Sequence, residues 1–366
     1  MSGGVDSSVA AYLMKQRGFD CIGVTMKLFA NEDIGISREH SCCSLDDVED
    51  ARSVAYSLDM PYYVFNFSDR FETDVIDRFI HAYENGITPN PCIDCNRYLK
   101  FDKLYMRAKE LDRDYVVTGH YARVEKDENG RFLLKKALDD TKDQSYVLYC
   151  LTQEQLSHTI FPLGEMRKSQ AREIAESQGF INARKADSQD ICFVQNGSYA
   201  DFIEQYTGKN YPDGDFLDTN GNVIGRHKGV IRYTVGQRKG LGISAPEPLY
   251  VKAVNPVSNT VTLSYNDGLY SSVVKAGDIN LISVPEIKGE MRVKTKVRYR
   301  HTEQWATVTQ NGETLTAVFD EPQRAVTCGQ ALVLYDGDTV VGGGTIIEVE
   351  SVSYTHLRAH ETVLDL

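Results

Sequence analysis

Residues 2 to 8 read Ser-Gly-Gly-Val-Asp-Ser-Ser, and this heptapeptide decides the fold of the first domain. Gly3 and Gly4 allow a tight turn whose backbone N–H groups are free to point inward. Asp6 and the two serines after it then open a helix. Free amides, hydroxyls and a helix N-terminus together form a site for an anion such as a phosphate. The lysine of a Walker A loop is absent. The alternative interpretation is a glycine-rich turn before a capped helix.

The heptapeptide resembles the PP-loop of ATP pyrophosphatases, which hold ATP by its pyrophosphate and transfer AMP to a substrate oxygen. Outward from it, short apolar strands at residues 21–28 and 62–67 alternate with helical patterns such as 45–58. Repeated strand–helix units predict a parallel, doubly wound sheet with its ligand at the carboxyl ends of the strands. We therefore predict an α/β fold with a PP-loop ATP pyrophosphatase domain.

The predicted secondary structure changes near residue 207, from alternating strands and helices to short strands. Hairpin-type turns such as Asn220-Gly221 and Asn311-Gly312 separate short strands from there on. This pattern predicts a small middle domain followed by a C-terminal β-barrel-like domain. We predict four regions, namely a catalytic domain 1–206, a middle domain 207–275, a barrel-like domain 276–350 and a non-native tail 351–366.

Both ends of the chain depart from these patterns. A phosphate loop normally follows a buried strand, and only Met1 precedes this one. We therefore expect a first strand before Met1. Residues 351–366 have no clear periodicity and resemble a translated sequencing adapter, so we expect them to have no function.

The composition limits the class of protein. The 366 residues predict two or three domains with ample core, and no apolar run reaches the length of a membrane span. Eight irregularly spaced cysteines are typical of a reducing cytoplasm with a few active thiols. The formal net charge of -12 argues against indiscriminate binding of nucleic acid but allows a local basic groove. We expect a cytoplasmic protein without a membrane partner.

Cys92 and Cys95 lie in a turn that leads into a predicted helix at 96–110, within the sequence Asn-Pro-Cys-Ile-Asp-Cys-Asn. The positive end of a helix dipole favours a thiolate, which makes Cys95 a candidate nucleophile. A buried inert cysteine, half of a metal site, and a redox or sulfur-transfer pair remain alternatives. Cys192, followed by Phe193, is more typical of a core residue when taken alone.

Several motifs occur in one order along the chain. They are the heptapeptide, Gly23–Lys27, the Asn90–Asn96 turn, Thr118–Arg123, Lys142–Tyr146, Ser188–Phe193, Tyr233–Gly242 and Val297–Arg300. In this order they resemble the bacterial tRNA-specific 2-thiouridylases, and the resemblance extends from residue 2 to about residue 350.

The resemblance implies an ATP-dependent tRNA sulfurtransferase. The enzyme would adenylate the C2 oxygen of the wobble uridine, U34, and then transfer sulfur from a cysteine persulfide to give 2-thiouridine, AMP and pyrophosphate. ATP, Mg²⁺, tRNA and a persulfide donor or relay protein are the implied cofactors and partners. Cys95 would be the nucleophile and Cys192 the persulfide carrier, and the two would form a transient disulfide.

The resemblance also implies the binding residues. ATP would be bound by Ser2, Gly3, Gly4, Val5, Asp6, Ser7, Ser8, Met26 and Gly119. The target base would be approached by Asn90, Pro91 and Cys92. tRNA would be bound by His120, Lys142, Asp143, Gln144, Arg298, Tyr299 and Gln330. Many relatives have Asp where this chain has Cys92; if that Asp assists proton transfer, nearby Asp94 is a candidate to replace it.

Other functions and another mechanism remain open from the sequence. A PP-loop ligase of another type needs neither a persulfide cysteine nor a basic β domain. A tRNA-binding protein with a catalytically dead nucleotide site would not bind ATP. Cys92, Cys95 and Cys192 also have the composition to hold three corners of a [4Fe-4S] cluster, with one iron open for sulfide.

Basic residues occupy every second position from Arg292 to Arg300. On a strand, this spacing places all five on one face. Cations of one sign with no acid between them repel each other, and a polyanion would relieve the repulsion. The spacing therefore predicts contact with RNA phosphates, with a solvated strand face as the alternative; Arg232, Arg238 and Lys239 are further candidates for this groove.

Overall fold

The structure is a computed structural model that describes residues 1–29, 45–187, 191–194 and 198–351. The predicted tail, apart from Ser351, lies outside the described residues, and so do Cys42 and Cys43. Within the described ranges, no helix is long and apolar enough to cross a membrane.

The first domain contains short parallel strands surrounded by helices. Its helices are α1 Val5–Gln16, α2 Leu45–Ser57, α3 Ser68–Phe71, α4 Asp77–Glu84, α5 Pro91–Asp94, α6 Leu104–Glu110, α7 Ser145–Leu148, α8 Gln153–Ser157, α9 Lys168–Ser177 and α10 Tyr199–Thr207, with π-helical segments at Glu72–Ile76 and Cys95–Lys103. Its strands are β1 Gly23–Lys27, β2 Tyr62–Asn66, β3 Val116–Val117, β4 Ala122–Lys126, β5 Phe132–Lys136 and β6 Thr159–Ile160.

The parallel strands form two separate pairs in the described residues. β1 pairs with β2, and β3 pairs with β6. Met1 lies beside β1, because the Thr25 hydroxyl donates a hydrogen bond of 2.6 Å to the Met1 carbonyl. The prediction of a parallel α/β domain is confirmed, with the sheet divided in this way.

Helix α1 is fixed by packing against α9. Val5 and Val9 share a buried cluster with Ala171 and Ala175, whose four-residue spacing puts them on one face of α9. This packing brings the first residue of α9, Lys168, next to the glycine-rich loop that precedes α1.

The middle domain is a four-stranded sheet. Its strands are β7 Gly214–Leu217, β8 Val223–His227, β9 Tyr250–Asn255 and β10 Thr260–Ser264, in the spatial order β8-β7-β10-β9. Phe216, Val251 and Val261 are fully buried in its core. Short 3₁₀ turns at Val230–Arg232 and Asn266–Leu269 flank this sheet.

The C-terminal domain is a closed six-stranded barrel. Its strands are β11 Tyr270–Leu281, β12 Glu290–Lys296, β13 Gln304–Asn311, β14 Thr314–Arg324, β15 Ala331–Asp336 and β16 Thr339–Ser351. Pairing of β11 with β16 closes it, and the β4–β5 hairpin of the first domain joins its sheet through β16. Because β11 runs across the predicted boundary at residue 275, the barrel begins at Tyr270.

Candidate active site

A cleft of about 1450 Å³ joins the first domain to the barrel. The PP-loop and both candidate catalytic cysteines line it. The other lining residues include Met26, Cys92, Lys100, Gly119, His120, Lys142, Asp143, Gln144, Asp187, Lys296, Tyr299, Arg300 and His301. Most of the site residues predicted from the sequence therefore face one space.

The PP-loop is a helix start without a side-chain cap. Gly4 is the N-cap of α1 and has no side chain with which to cap the first turn. Gly3 has φ +71°, and a Cβ there would lie 2.4 Å from the carbonyl oxygen of Asp47. The unsatisfied N–H groups of this turn are donors for an anion.

The loop is also held against neighbouring backbone. A Cβ at Gly119 would lie 2.7 Å from the backbone carbon of Asp6, so only glycine allows this approach. Buried Asn182 donates 2.9 Å hydrogen bonds to the Gly3 carbonyl and to the Ser8 hydroxyl. Asn182 was missed by the sequence reasoning because it lies far from the motif in the chain.

The side chain of Asp6 is held by two residues that the sequence reasoning did not assign. The Tyr121 hydroxyl donates a hydrogen bond of 2.9 Å to one carboxylate oxygen. The Lys168 ammonium binds both oxygens, at 2.7 and 2.8 Å. Lys168 also lies 2.8 Å from Asp187. Tyr121 falls within the Thr118–Arg123 motif, and Asp187 immediately precedes the Ser188–Phe193 motif; these positions are the signal that could have drawn attention to them.

Cys95 lies deeper in its helix than the sequence predicts. The helical stretch begins at Pro91, so Cys95 is the first residue of the π-helical segment and is buried. Burial raises the pKa of its thiol above the ordinary range, and the nearby charge of Lys100 lowers it by less. Desolvation therefore opposes the thiolate that the helix N-terminus was predicted to favour.

The π-helical segment explains the position of Lys100. In a π-helix the N–H of residue i+5 bonds to the carbonyl of residue i, so Lys100 lies one turn above Cys95. In an α-helix, residues five apart are turned about 140° from each other. The wider turn brings the ammonium and the thiol into the same cleft.

Cys92 and Asp94 lie on different sides of this helix. Cys92 is exposed and lines the cleft. Asp94 is 3.5 Å from Arg78 and lines a separate, smaller pocket. Burial raises the pKa of Asp94 to about 6 although Arg78 opposes the shift. Asp94 therefore does not reach the cleft, and the expectation that it replaces a carboxylate at Cys92 is not supported.

Cys192 lies on the same side of the cleft as Cys95. Cys95 belongs to the buried cluster that includes Phe71 and Phe193, and Cys192 packs against this cluster. Both thiols line the cleft. The fold therefore brings together two cysteines from distant parts of the sequence.

The predicted tRNA residues of the first domain have partners within the protein. His120 is nearly buried between Phe101 and Phe161, and burial lowers its pKa well below the ordinary value. Gln144 accepts a hydrogen bond of 2.9 Å from the backbone N–H of Tyr121.

Lys142 and Asp143 are likewise engaged. The Lys142 ammonium donates to Asp187 at 2.9 Å. The Asp143 carboxylate accepts from the hydroxyl of Ser145 at 2.7 Å. Of these four residues, Lys142 is the cation that lines the cleft and is partly exposed, because burial disfavours the charged form of His120.

The three predicted tRNA residues of the barrel differ in their surroundings. The Arg298 guanidinium donates to the Ala325 carbonyl and to the Thr327 hydroxyl, so it fixes the protein's own backbone. Gln330 donates to the carbonyls of Thr88 and Pro89 and so holds the turn before Cys92. Tyr299 is 39% exposed and lines the cleft.

The target-base residues divide in the same way. Pro91 and Cys92 line the cleft, whereas Asn90, the N-cap of the helix, lines the smaller pocket beside Asp94.

The basic stretch does not form one strand face of unpaired cations. Strand β12 ends at Lys296, so Arg298 and Arg300 lie beyond it. Arg292 forms an ion pair with Asp320 from β14. Lys294 lies 5.6 Å from the Trp305 ring centroid. The prediction of a five-residue stripe is wrong, because β12 ends before Arg298 and because Asp320, two strands away in the sheet, pairs with Arg292.

Arg232 also differs from its predicted place in a basic groove. It is paired with Asp201 and Glu204 of α10 at 2.8 and 2.7 Å.

Nothing in the described residues indicates a resident metal. No group of three or more His, Cys, Asp or Glu side chains there is arranged to hold a metal ion. The iron–sulfur alternative for Cys92, Cys95 and Cys192 therefore has no structural support.

Comparison with known proteins agrees with this architecture. Three family models match between residues 1 and 346: the tRNA methyl transferase HUP domain at residues 1–196, the tRNA methyl transferase PRC-barrel domain at 200–265 and the aminomethyltransferase β-barrel domain at 271–346. The first model covers the PP-loop and both candidate catalytic cysteines, Cys95 and Cys192. The chain is thus a HUP-domain protein with two appended β domains.

Close relatives narrow the class further. The tRNA-specific 2-thiouridylase of Clostridioides difficile is 52% identical over 94% of this chain and 96% of its own length. That of Lachnoclostridium phytofermentans is 51% identical over 95% and 98%, and that of Clostridium perfringens is 48% identical over 94% and 96%. The chain belongs to the tRNA-specific 2-thiouridylase family.

Proposed function

We propose that this protein is an ATP-dependent tRNA 2-thiouridylase that acts on the wobble uridine. The observation that carries the proposal is a single cleft lined both by a PP-loop whose helix has no side-chain cap and by two cysteines from distant parts of the chain, Cys95 and Cys192. The names of the relatives supply the tRNA substrate. A reaction on tRNA with ATP fits a cytoplasmic location.

The residues of the PP-loop wall fit ATP. The uncapped N–H groups of the first turn of α1 suit the pyrophosphate, and the close approach at Gly3 and Gly119 keeps this turn in place. Mg²⁺ is bound in proteins by one or two carboxylates together with substrate phosphates and water. Asp6 lines the cleft and is the candidate carboxylate for this role. When bound, Mg²⁺ would neutralise phosphate charge.

The first step activates the base. The C2 oxygen of the uracil attacks the α-phosphorus of ATP, the bond to the β-phosphate breaks, and pyrophosphate leaves. AMP is then attached through the former C2 oxygen and is a far better leaving group than oxide. The backbone N–H groups of the PP-loop would stabilise the departing pyrophosphate.

The second step transfers sulfur. The terminal sulfur of a Cys192 persulfide attacks C2, and AMP leaves with the oxygen and its electron pair. The Cys95 thiolate then attacks the Sγ of Cys192, which releases 2-thiouridine and forms a Cys95–Cys192 disulfide. A thiol reductant reopens the disulfide. A persulfide donor protein recharges Cys192 for the next turnover.

The burial of Cys95 has a role in the proposed order of reaction steps. Its raised pKa keeps the thiol protonated until the site changes around it, so Cys95 would not attack the persulfide before the base is activated. Lys100 is the nearby cation that would stabilise the thiolate when it forms.

Transfer of labelled sulfur into tRNA tests the proposal. We expect ATP-dependent incorporation from a persulfide donor into a tRNA with an unmodified wobble uridine, with AMP and pyrophosphate formed in equal amounts. Replacement of that uridine by cytidine is the matched control and should prevent both. ATP turnover without sulfur transfer would indicate another PP-loop ligase, and tRNA binding without ATP binding would indicate a protein that only binds.

The same preparation tests the mechanism. Protein purified without oxygen should be colourless, contain no stoichiometric iron and transfer sulfur at the full rate. Iron-dependent absorption whose intensity parallels the activity would instead support a mechanism in which an iron–sulfur cluster carries the sulfur.

A further inference from the structure

An ionic network connects the PP-loop with Lys142, a residue of the segment expected to contact tRNA. It consists of Asp6, Lys142, Lys168, Arg172 and Asp187, and we call it the Asp6–Lys142 network. Every link is direct: Lys168 to Asp6 at 2.7 Å, Lys168 to Asp187 at 2.8 Å, Lys142 to Asp187 at 2.9 Å and Arg172 to Asp187 at 2.9 Å. None of these side chains except Asp6 belongs to the PP-loop motif.

Lys168 is the central member of the network. It is 8% exposed, and its ammonium lies within 2.8 Å of three carboxylate oxygens, two of Asp6 and one of Asp187. An ammonium has three N–H groups, so its capacity is fully used. A buried cation shared in this way binds one carboxylate more tightly when the other is withdrawn or neutralised.

Asp187 is held by three cations. Burial alone would raise its pKa, but hydrogen bonds from Lys168 and Lys142 outweigh burial and hold the pKa at about 2. The carboxylate therefore stays charged at neutral pH. Any change in the position of Lys142 therefore changes the strength of the ion pair between Asp187 and Lys168.

The two ends of the network face different ligands of the proposed reaction. Asp6 belongs to the loop that would bind ATP, and it lines the cleft. Lys142 is the partly exposed cation of the segment expected to contact tRNA, and it lines the same cleft. Asp187 precedes Cys192 by five positions in the chain.

We propose that the Asp6–Lys142 network couples the binding of Mg²⁺-ATP to the binding of tRNA, with Lys168 as a positioning residue. The inference rests on the proposed function. A tRNA phosphate draws the Lys142 ammonium away from Asp187. The ion pair between Asp187 and Lys168 then becomes stronger, and as a result the ion pair between Lys168 and Asp6 becomes weaker. The freed carboxylate of Asp6 becomes available to the Mg²⁺ that accompanies ATP.

Equilibrium binding tests the coupling without turnover. The dissociation constant of a Mg²⁺-bound ATP analogue with a non-hydrolysable α,β bond is measured with and without saturating unmodified tRNA. We expect tRNA to tighten binding of the analogue at least about fivefold in the wild type, a usual size for coupling between sites. By reciprocity, the analogue should lower the dissociation constant for tRNA by the same factor.

Asp187→Asn should reduce the effect of tRNA on analogue affinity to less than about twofold, because it removes the negative charge that pairs with both Lys142 and Lys168. Lys142→Met, at a more exposed position, should do the same and provides a second variant if Asp187→Asn folds poorly. Lys275→Met is the matched control, because Lys275 also bridges two carboxylates, Glu348 and Glu350, but on the barrel. It should leave the factor unchanged.

Either of two results would overturn the coupling: no effect of tRNA on analogue affinity in the wild type, or an undiminished effect in both network variants. A wild type that transfers sulfur to tRNA but shows no coupling would refute this inference alone. A wild type that transfers no sulfur would refute the proposed function instead.

Discussion

The two walls of the cleft are built in different ways. The PP-loop wall, residues 2–8, is a short contiguous segment whose donors are backbone N–H groups. The cysteine wall combines Cys92 and Cys95 from one helix with Cys192 from a later segment and with Tyr299 from the barrel. An anion site made of backbone is encoded locally, whereas the reactivity of a thiol depends on what distant residues pack around it.

The largest expected effect separates the functions of the two walls. Cys95→Ser and Cys192→Ser should each lower thiolation by at least about 10³-fold, because a hydroxyl replaces a sulfur nucleophile or carrier. Affinity for ATP should stay within about twofold of the wild type, since neither thiol belongs to the PP-loop wall. Labelled-sulfur transfer and equilibrium binding measure the two quantities.

Cys328→Ser is the control for this pair, since Cys328 is a half-buried thiol that does not line the cleft. Normal thiolation in either of the first two variants would remove that cysteine from the mechanism.

A substitution on the opposite wall should have the reverse effect. At Gly119 an added Cβ would lie 2.7 Å from the Asp6 backbone, so Gly119→Ala should displace the PP-loop. Overpacking of this kind costs about 1–3 kcal/mol, which corresponds to a loss of roughly 5- to 150-fold in ATP affinity. The alkylation rates of Cys92 and Cys95 should not change.

Gly277→Ala serves as the comparison, because the nearest atom to its Cβ would be 3.5 Å away. Unchanged ATP affinity in Gly119→Ala would mean that the PP-loop wall tolerates movement.

The burial of Cys95 predicts a difference in pH dependence within the cysteine wall. Because burial raises the pKa of Cys95, its thiolate forms only as the pH rises above the ordinary thiol range. At pH 8 its alkylation by iodoacetamide should be at least roughly threefold slower than that of exposed Cys92. Peptide mass spectrometry over a pH series measures both rates in one protein.

Lys100→Met should move the Cys95 profile to still higher pH, because the cation that opposes the effect of burial is lost. Lys100→Arg keeps the charge and should preserve the profile. If the alkylation rate of Cys95 reached its plateau at a lower pH than that of Cys92, the assignment of a raised pKa to Cys95 would be contradicted.

The smallest expected effect concerns the barrel side of the cleft. Lys296 lines the cleft, whereas Arg292 is already paired with Asp320. Lys296→Met should therefore reduce the slope of log K against log salt for tRNA binding by about 0.7–0.9, the contribution of one phosphate contact. Arg292→Met should change it by less than half as much. Equal changes in slope would restore the interpretation of the basic stretch as one face.

The sequence alone predicted the PP-loop wall correctly as local structure. Its glycines and the start of α1 are properties of neighbouring residues, whereas the structure showed that Gly4 is the N-cap. The order of the motifs also identified the family, and the strand–helix alternation predicted the parallel α/β domain. Strand and helix bounds agree closely, as in β2, predicted at 62–67 and found at Tyr62–Asn66.

Three features depended on the tertiary structure. Cys95 was predicted as a thiolate from its position near a helix start, but burial within its cluster reverses the direction of the pKa shift. Arg298 was predicted to bind tRNA, but its guanidinium bonds to the Ala325 carbonyl. Lys168 carried no signal in its local sequence, yet it binds Asp6 through the packing of α9 on α1.

The physical reason is the range of the interactions involved. Turn geometry, helix starts and periodicity depend on residues a few positions apart, so the sequence by itself determined the PP-loop, the fold class and the family. Desolvation and charge pairing depend on whatever the chain brings within a few ångströms, whatever its position in the sequence. Only the tertiary structure decided that Cys95 is buried, that Arg292 is neutralised and that Lys168 connects Asp6 to Asp187.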